Sequence, residues 1–159
     1  MTTPQHSDDD IREAFARYVP EVASGILTFR KIAREHGKMT YVAVAAPASI
    51  RDPIGLLVGR RGAHLKAVIS VLGGESVNIV RWKDEPREFI RDVLGLSRAG
   101  LPFQPVFRFE DSERRVCVTV ERHTEELFAA ADGLRLRLAS ELSGWQIILL
   151  CQDEPSVGD

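Results

Sequence analysis

Gly133 lies 71 residues after Gly62, and at that offset the second half of the chain falls onto the first. Leu65 meets Leu136, Val71 meets Leu142 and Gly73 meets Gly144. Around each glycine the segments follow one order: β-rich stretches, a helical stripe, a short loop, a second stripe and a β-rich return. A chain of 159 residues carrying one plan twice is two small modules rather than one large core.

Local signals place the elements. Asp8–Asp10 supply an acidic first turn, and Ile11, Ala14, Phe15 and Tyr18 then recur at helical spacing until Pro20. Ile26–Phe29 reads as a short strand, Lys31–Gly37 (KIAREHG) as one or two helical turns, and Thr40–Ala45 as a strand. Asp52 and Pro53 form a cap followed by proline at the first helical position, and Ile54, Leu57 and Val58 continue the stripe. Beyond GRRG, Leu65, Val68, Ile69 and Leu72 line a second helix stopped by Gly73 and Gly74, and Val77–Trp82 returns as a strand. Pro86 opens a helix facing Phe89, Ile90, Val93 and Leu94 inward, and SRAGLPFQP (97–105) reads as a boundary. Phe107 and Phe109, a turn near Asp111, and Val116, Val118 and Val120 predict a hairpin. Helices around Glu125–Ala129 and through Leu134, Leu138 and Leu142 follow, Gly144 caps the second, and Trp145–Leu150 is the last strand. The expected division is a tail over 1–9, a linker helix over 10–22, modules over 23–98 and 104–151, and a tail over 152–159.

The loop Gly59-Arg60-Arg61-Gly62 has a specific physical use. Glycine at both ends lets the chain turn tightly and approach another backbone without Cβ clashes. The free N–H groups and positive end of the following helix then face any anion placed there. Arg60 and Arg61 can fork onto phosphate oxygens, His64 is nearby, and Lys66 lies about one helical turn past Gly62. A GxxG also occurs at ordinary helix–helix turns. Here the flanking strand–helix–loop–helix–strand order and the two arginines select the clamp that holds single-stranded nucleic acid by its backbone.

Charge agrees with that reading. The formal charge of −2 conceals a basic middle, with thirteen Lys and Arg against seven Asp and Glu over residues 23–98. Residues 99–159 carry six basic and eleven acidic side chains, so the field is cationic where the arginines lie and anionic beyond. At the aligned second loop stand Ala130, Ala131, Asp132 and Gly133: a Cβ replaces the first glycine, and a negative charge replaces two positive ones. This second clamp is expected to be weakened or lost while its module keeps the fold.

From Val19 to Leu150 the chain resembles the tandem KH region of NusA-type transcription elongation, termination and antitermination factors. The residues that carry the likeness are VPEVASG and IAREHG, then RDPIGLLVGRRGAHLKAVISVLGGESVNIVRW, DEPREFIRDVL and LASELSGWQI. The resemblance implies an α+β fold of two tandem type II KH domains packed as one unit, in a cytoplasmic protein. It also implies RNA binding by the clamp Gly59, Arg60, Arg61 and Gly62. Bacterial members carry a polymerase-binding domain and an OB-fold ahead of the KH pair, whereas about twenty residues precede the first KH here. The layout is closer to short archaeal NusA-like proteins, so polymerase binding does not carry over.

The function expected is single-stranded RNA binding, mainly through the first KH, in transcription elongation, termination or antitermination. RNA polymerase or a transcription complex is a possible further partner. The alternative is an interaction module that kept the fold and uses its acidic half on a polymerase or ribosomal partner. No enzyme, cofactor, metal site or membrane association is expected. His6, His36, His64 and His123 are dispersed, GRRG lacks the ending of a nucleotide-binding P-loop, and no apolar run is long enough to span a bilayer. Cys117 and Cys151 read as buried free thiols, and Trp82 and Trp145 as core residues.

Overall fold

The computed structural model describes residues 7–97 and 104–151. Residues 1–6 of the expected tail over 1–9, the expected tail over 152–159, and most of the 97–105 boundary lie outside those residues. The chain divides into two compact units, residues 1–84 and 85–159, each an α+β sandwich with the same order of elements.

In the first unit α1 (Ser7–Tyr18) and the short α2 (Pro20–Ala23) precede an antiparallel pair, β1 (Thr28–Glu35) and β2 (Met39–Ala45). Then α3 (Pro53–Val58) and α4 (Ala63–Val71) cross over to β3 (Ser76–Arg81), which lies parallel to β2. The sheet order is β1-β2-β3. Ile11, Ala14 and Phe15 of α1 pack with Phe29, Val42, Val44, Leu57, Val68 and Val77 in one core. Burying such side chains contributes about 1.5–3 kcal/mol each, which offsets the ordering of a short chain.

In the second unit α5 (Pro86–Val93) precedes the hairpin β4 (Val106–Glu110) and β5 (Arg115–Val120). The helical stretch α6 (Arg122–Ser143), broken at residues 130–133, crosses over to β6 (Gln146–Cys151), parallel to β5. Phe89, Ile90, Phe107, Val116, Val118, Phe128, Leu138, Leu142 and Trp145 are among its buried residues. Two antiparallel-plus-parallel sheets in helix–strand–strand–helix–helix–strand order are two tandem type II KH folds.

The units are bounded differently from the expected modules. The helix over 10–22, expected as a linker, is the first element of unit one, because Ile11, Ala14 and Phe15 are core residues there. The helix opened by Pro86 plays the same part for unit two, so the division falls at Asp84/Glu85 rather than near 97–105. Residues 7–9, expected in the tail, form the first turn of α1.

Lys31–Gly37 is not helical. Its residues through Glu35 continue β1, paired residue for residue with β2 from Lys31↔Ala43 to Glu35↔Met39, with a register shift between Phe29 and Lys31. Lys, Ala, Arg and Glu favour helix locally, but the non-local ladder overrides that weak preference. Gly37, at φ 81°, makes the hairpin turn, where the Lys38 N–H donates to Glu35 O at 2.9 Å.

Pro20 ends α1 and also opens α2. Neither cysteine is in a disulfide, and both are half-buried rather than buried. Trp145 is a core residue, edge-on to Phe109 at 5.0 Å. Trp82 is half-buried instead, with the Arg30 guanidinium 5.2 Å from its ring and its Nε1 donating to Asp84 Oδ1 at 2.9 Å.

Candidate nucleic-acid interface

The GRRG loop joins α3 to α4 within the β2–β3 crossover. Asp52 caps α3, its Oδ1 accepting the Gly55 N–H at 2.9 Å, and Pro53 occupies the first turn, where no N–H is needed. Arg81 on β3 ties down the approach to this helix: Nη1 donates to Arg51 O at 3.1 Å and Nη2 to Ile50 O at 3.5 Å. The helix closes at Gly59, whose N–H donates to Gly55 O, and Gly59 takes φ 80°, ψ 171°.

Both glycines have physical reasons. A Cβ on Gly59 would lie 2.6 Å from His64 Cγ, 2.7 Å from His64 Nδ1 and 2.8 Å from the His64 backbone nitrogen. Gly62, at φ 76°, caps α4 in the left-handed conformation, which costs other residues about 1–2 kcal/mol. Between them Arg60 is helical while Arg61 is itself left-handed, at φ 55°, ψ 28°. A right-handed residue followed by a left-handed one turns successive N–H groups towards one concave side, the geometry of an anion nest. Backbone strain at an arginine in a loop of this kind is typical of ligand clamps.

The side chains complete the picture. Arg60, Arg61 and Lys66 are exposed, and Lys66 Cε lies 3.6 Å from where a Gly62 Cβ would stand, so the ammonium stem folds back over the loop. His64 is half-buried, with Nδ1 3.0 Å from Leu56 O. All six residues singled out from the sequence therefore meet at one tip. Unit one as bounded by the fold carries twelve Lys and Arg against nine Asp and Glu, and unit two nine against fourteen.

The second loop sits at the same place in its own crossover, but its backbone differs. Ala130 takes φ −61°, ψ 155°, and Ala131, Asp132 and Gly133 are all left-handed. The right-then-left pair is absent at this tip, and the side chains presented are two methyl groups and a carboxylate. Ala130, Ala131 and Asp132 are exposed.

Composition and spacing gave no hint of a buried charge network beneath the first unit. Glu75, 1% exposed, receives Arg34 Nε at 2.7 Å and Arg34 Nη2 at 2.9 Å, the Gly37 N–H at 3.0 Å, and the Thr40 hydroxyl. Burial pushes its carboxyl up, but the bonds from Arg34, Thr40 and Gly37 together hold it below the usual carboxylate range. The network joins the turn of the β1–β2 hairpin to the α4–β3 connection, so it steadies α4 from the end opposite the loop. The sole sequence signal was a glutamate in the GGES turn, which reads as solvated. Among the described residues, no group of three or more His, Cys, Asp or Glu could hold a metal ion, and no helix is long and apolar enough to cross a membrane.

Residues 5–82 match the family described as the NusA-like first KH domain. The chain is 39% identical over 130 residues to the transcription termination/antitermination protein NusA of Thermus thermophilus, covering 81% of this chain and 32% of that protein. The NusA proteins of Rickettsia prowazekii and Bacillus subtilis are 34% and 31% identical, over 89% and 86% of this chain and 28% and 36% of their own lengths. The chain thus spans about a third of the length of the curated relatives it matches. The crystal structure of APE1850 shares the fold, with a TM-score of 0.57 at 14% identity over 88% of this chain and 96% of that one. The chain is thus similar to NusA proteins over most of its length, and residues 5–82 carry the likeness to a NusA-like first KH domain.

Proposed function

We propose that this chain is a non-enzymatic, cytoplasmic RNA-binding protein of transcription. In this reading it grips single-stranded RNA mainly through its first KH unit, during elongation, termination or antitermination. The observation that carries the reading is the loop 59–62, whose right-then-left-handed backbone presents two exposed arginines at the start of α4. Gly59 and Gly62 admit the RNA backbone, Arg60 and Arg61 neutralise phosphates, Lys66 adds charge one turn on, and His64 completes the clamp. A clamp with so few phosphate contacts binds modestly, with an affinity that falls as salt rises. Ala130, Ala131, Asp132 and Gly133 form a degenerate counterpart, with Asp132 repelling phosphate.

Fluorescence anisotropy of a labelled single-stranded RNA across a salt series tests this. Binding should weaken with salt and be lost in the Arg60→Glu/Arg61→Glu protein; equal binding by the two proteins would refute the reading. A second reading has one specific support. At the second tip Leu127, 49% exposed, lies three residues before Ala130, with Glu126 and Asp132 also exposed. An apolar and acidic tip suits a protein partner such as RNA polymerase, and co-precipitation with polymerase that survives loss of the first clamp would favour it.

A further inference from the structure

His64 is the second residue of α4, and its ring is engaged with the loop itself. Its Nδ1 lies 3.0 Å from the carbonyl oxygen of Leu56. A carbonyl can only accept, so Nδ1 carries the proton and donates. Leu56 belongs to the last turn of α3, where helix carbonyls run out of N–H partners of their own. One side-chain hydrogen bond thus joins the helix before the loop to the helix after it, across all four clamp residues.

The same ring fills the space that a side chain at position 59 would need, with Cγ and Nδ1 2.6 and 2.7 Å from the position of a Cβ. Ring and glycine are complementary: the imidazole can sit there because residue 59 has no side chain, and the packed ring holds Gly59 at φ 80°. In the second unit Arg135 stands 71 residues after His64, and Ala130 stands where Gly59 does, at φ −61°. Glycine and histidine are replaced together, and the loop takes another backbone path.

We infer that His64 is a positioning residue of the clamp: it staples α3 to α4 through Leu56 and so presents Arg60 and Arg61 to phosphate, without touching RNA itself. This rests on the clamp reading above. It assigns a different role from direct contact, to which a histidine beside a basic loop would ordinarily be ascribed.

The experiment uses the full chain, a labelled single-stranded RNA of mixed sequence, and thermal unfolding of every variant. Arg60→Glu/Arg61→Glu should abolish binding. His64→Ala and His64→Leu should each weaken binding about five- to tenfold, the size of one neutral hydrogen bond. His64→Asn places an amide nitrogen where Nδ1 lies and cannot become cationic; it should recover affinity to within about twofold of wild type. The drop in Tm caused by Gly59→Ala should be smaller when His64 is already alanine. If His64→Ala binds like wild type while the arginine variant does not, the inference fails and the clamp stands. A His64→Asn protein as weak as His64→Ala would also overturn the inference, and would point to direct contact by the ring. Equal Tm losses from Gly59→Ala in both backgrounds would overturn the pairing of ring and glycine. If the arginine variant binds like wild type, the clamp reading itself falls.

Discussion

The loops at 59–62 and 130–133 occupy the same place in two copies of one fold, yet they differ in backbone, charge and support. The first has glycine at φ 80°, a helical arginine and then a left-handed arginine; the second has alanine at φ −61° and three left-handed residues in succession. Each loop is framed by helices whose apolar faces are buried in its own unit, with Leu57 and Val68 on one side and Phe128, Leu134 and Leu138 on the other. The fold therefore constrains the flanks and leaves the tip open to chemical change. Beneath the loops the contrast continues: Arg34 and Glu75 form a buried pair in unit one, whereas Arg115 with Glu110 and Glu113 is a surface group in unit two.

The largest expected effect breaks the functional side of this comparison. Arg60→Glu/Arg61→Glu should lower RNA affinity about a hundredfold or more at low salt, since it removes and reverses phosphate contacts. Its Tm should be unchanged because both side chains are exposed; anisotropy and circular dichroism melts measure the two. Next comes the buried pair. Glu75→Gln removes the buried carboxylate that Arg34 bonds through two nitrogens and should cost about 3–5 kcal/mol, read from urea unfolding.

The pH dependence has a definite sign. The Glu75 carboxyl is held below its ordinary value, so its contribution is fully present above the unfolded pKa near ~4.3. It is lost as pH falls from there through the lower folded value, and wild type should lose stability in that window more steeply than Glu75→Gln. Gly59→Ala should destabilise unit one by about 1–3 kcal/mol through its left-handed φ and the close His64 ring. Ala130→Gly should cost far less, because Ala130 already has an ordinary φ. The smallest effect sharpens the comparison from the other side: Ala130→Gly with Asp132→Arg should raise RNA affinity by a few-fold, and no gain would mean that backbone shape, not charge, disables the second tip.

What could be read from the sequence was set by range. The Asp52–Pro53 start, the Gly73–Gly74 stop, the hairpin through Phe107 and Val116, and the two aligned loops all depend on residues a few positions apart, and all are found where expected. The strand through Lys31–Glu35 was not legible, because its conformation is imposed by β2 and its own residues favour helix. The fold limits were missed for a related reason: whether an amphipathic helix ends one unit or begins the next is decided by the core it enters. At the site, the types and spacing of the six residues were visible. The task of His64 was not, since it depends on a carbonyl eight residues earlier being brought within 3.0 Å. Glu75 was hidden in the same way, by partners 35 to 41 residues distant.

The parallel pairing of β2 with β3 has a consequence in time. The β1–β2 hairpin closes a short turn at Gly37 and can form as soon as both strands exist. The β2–β3 pair must wait until the whole crossover, loop included, has been made and its ends brought together. On a ribosome the arginine tip therefore leaves the exit tunnel before the strand that completes its frame, and the first sheet closes only after Arg81 has emerged. The second unit follows the same schedule to Cys151. Each loop is thus made before the sheet that frames it is closed.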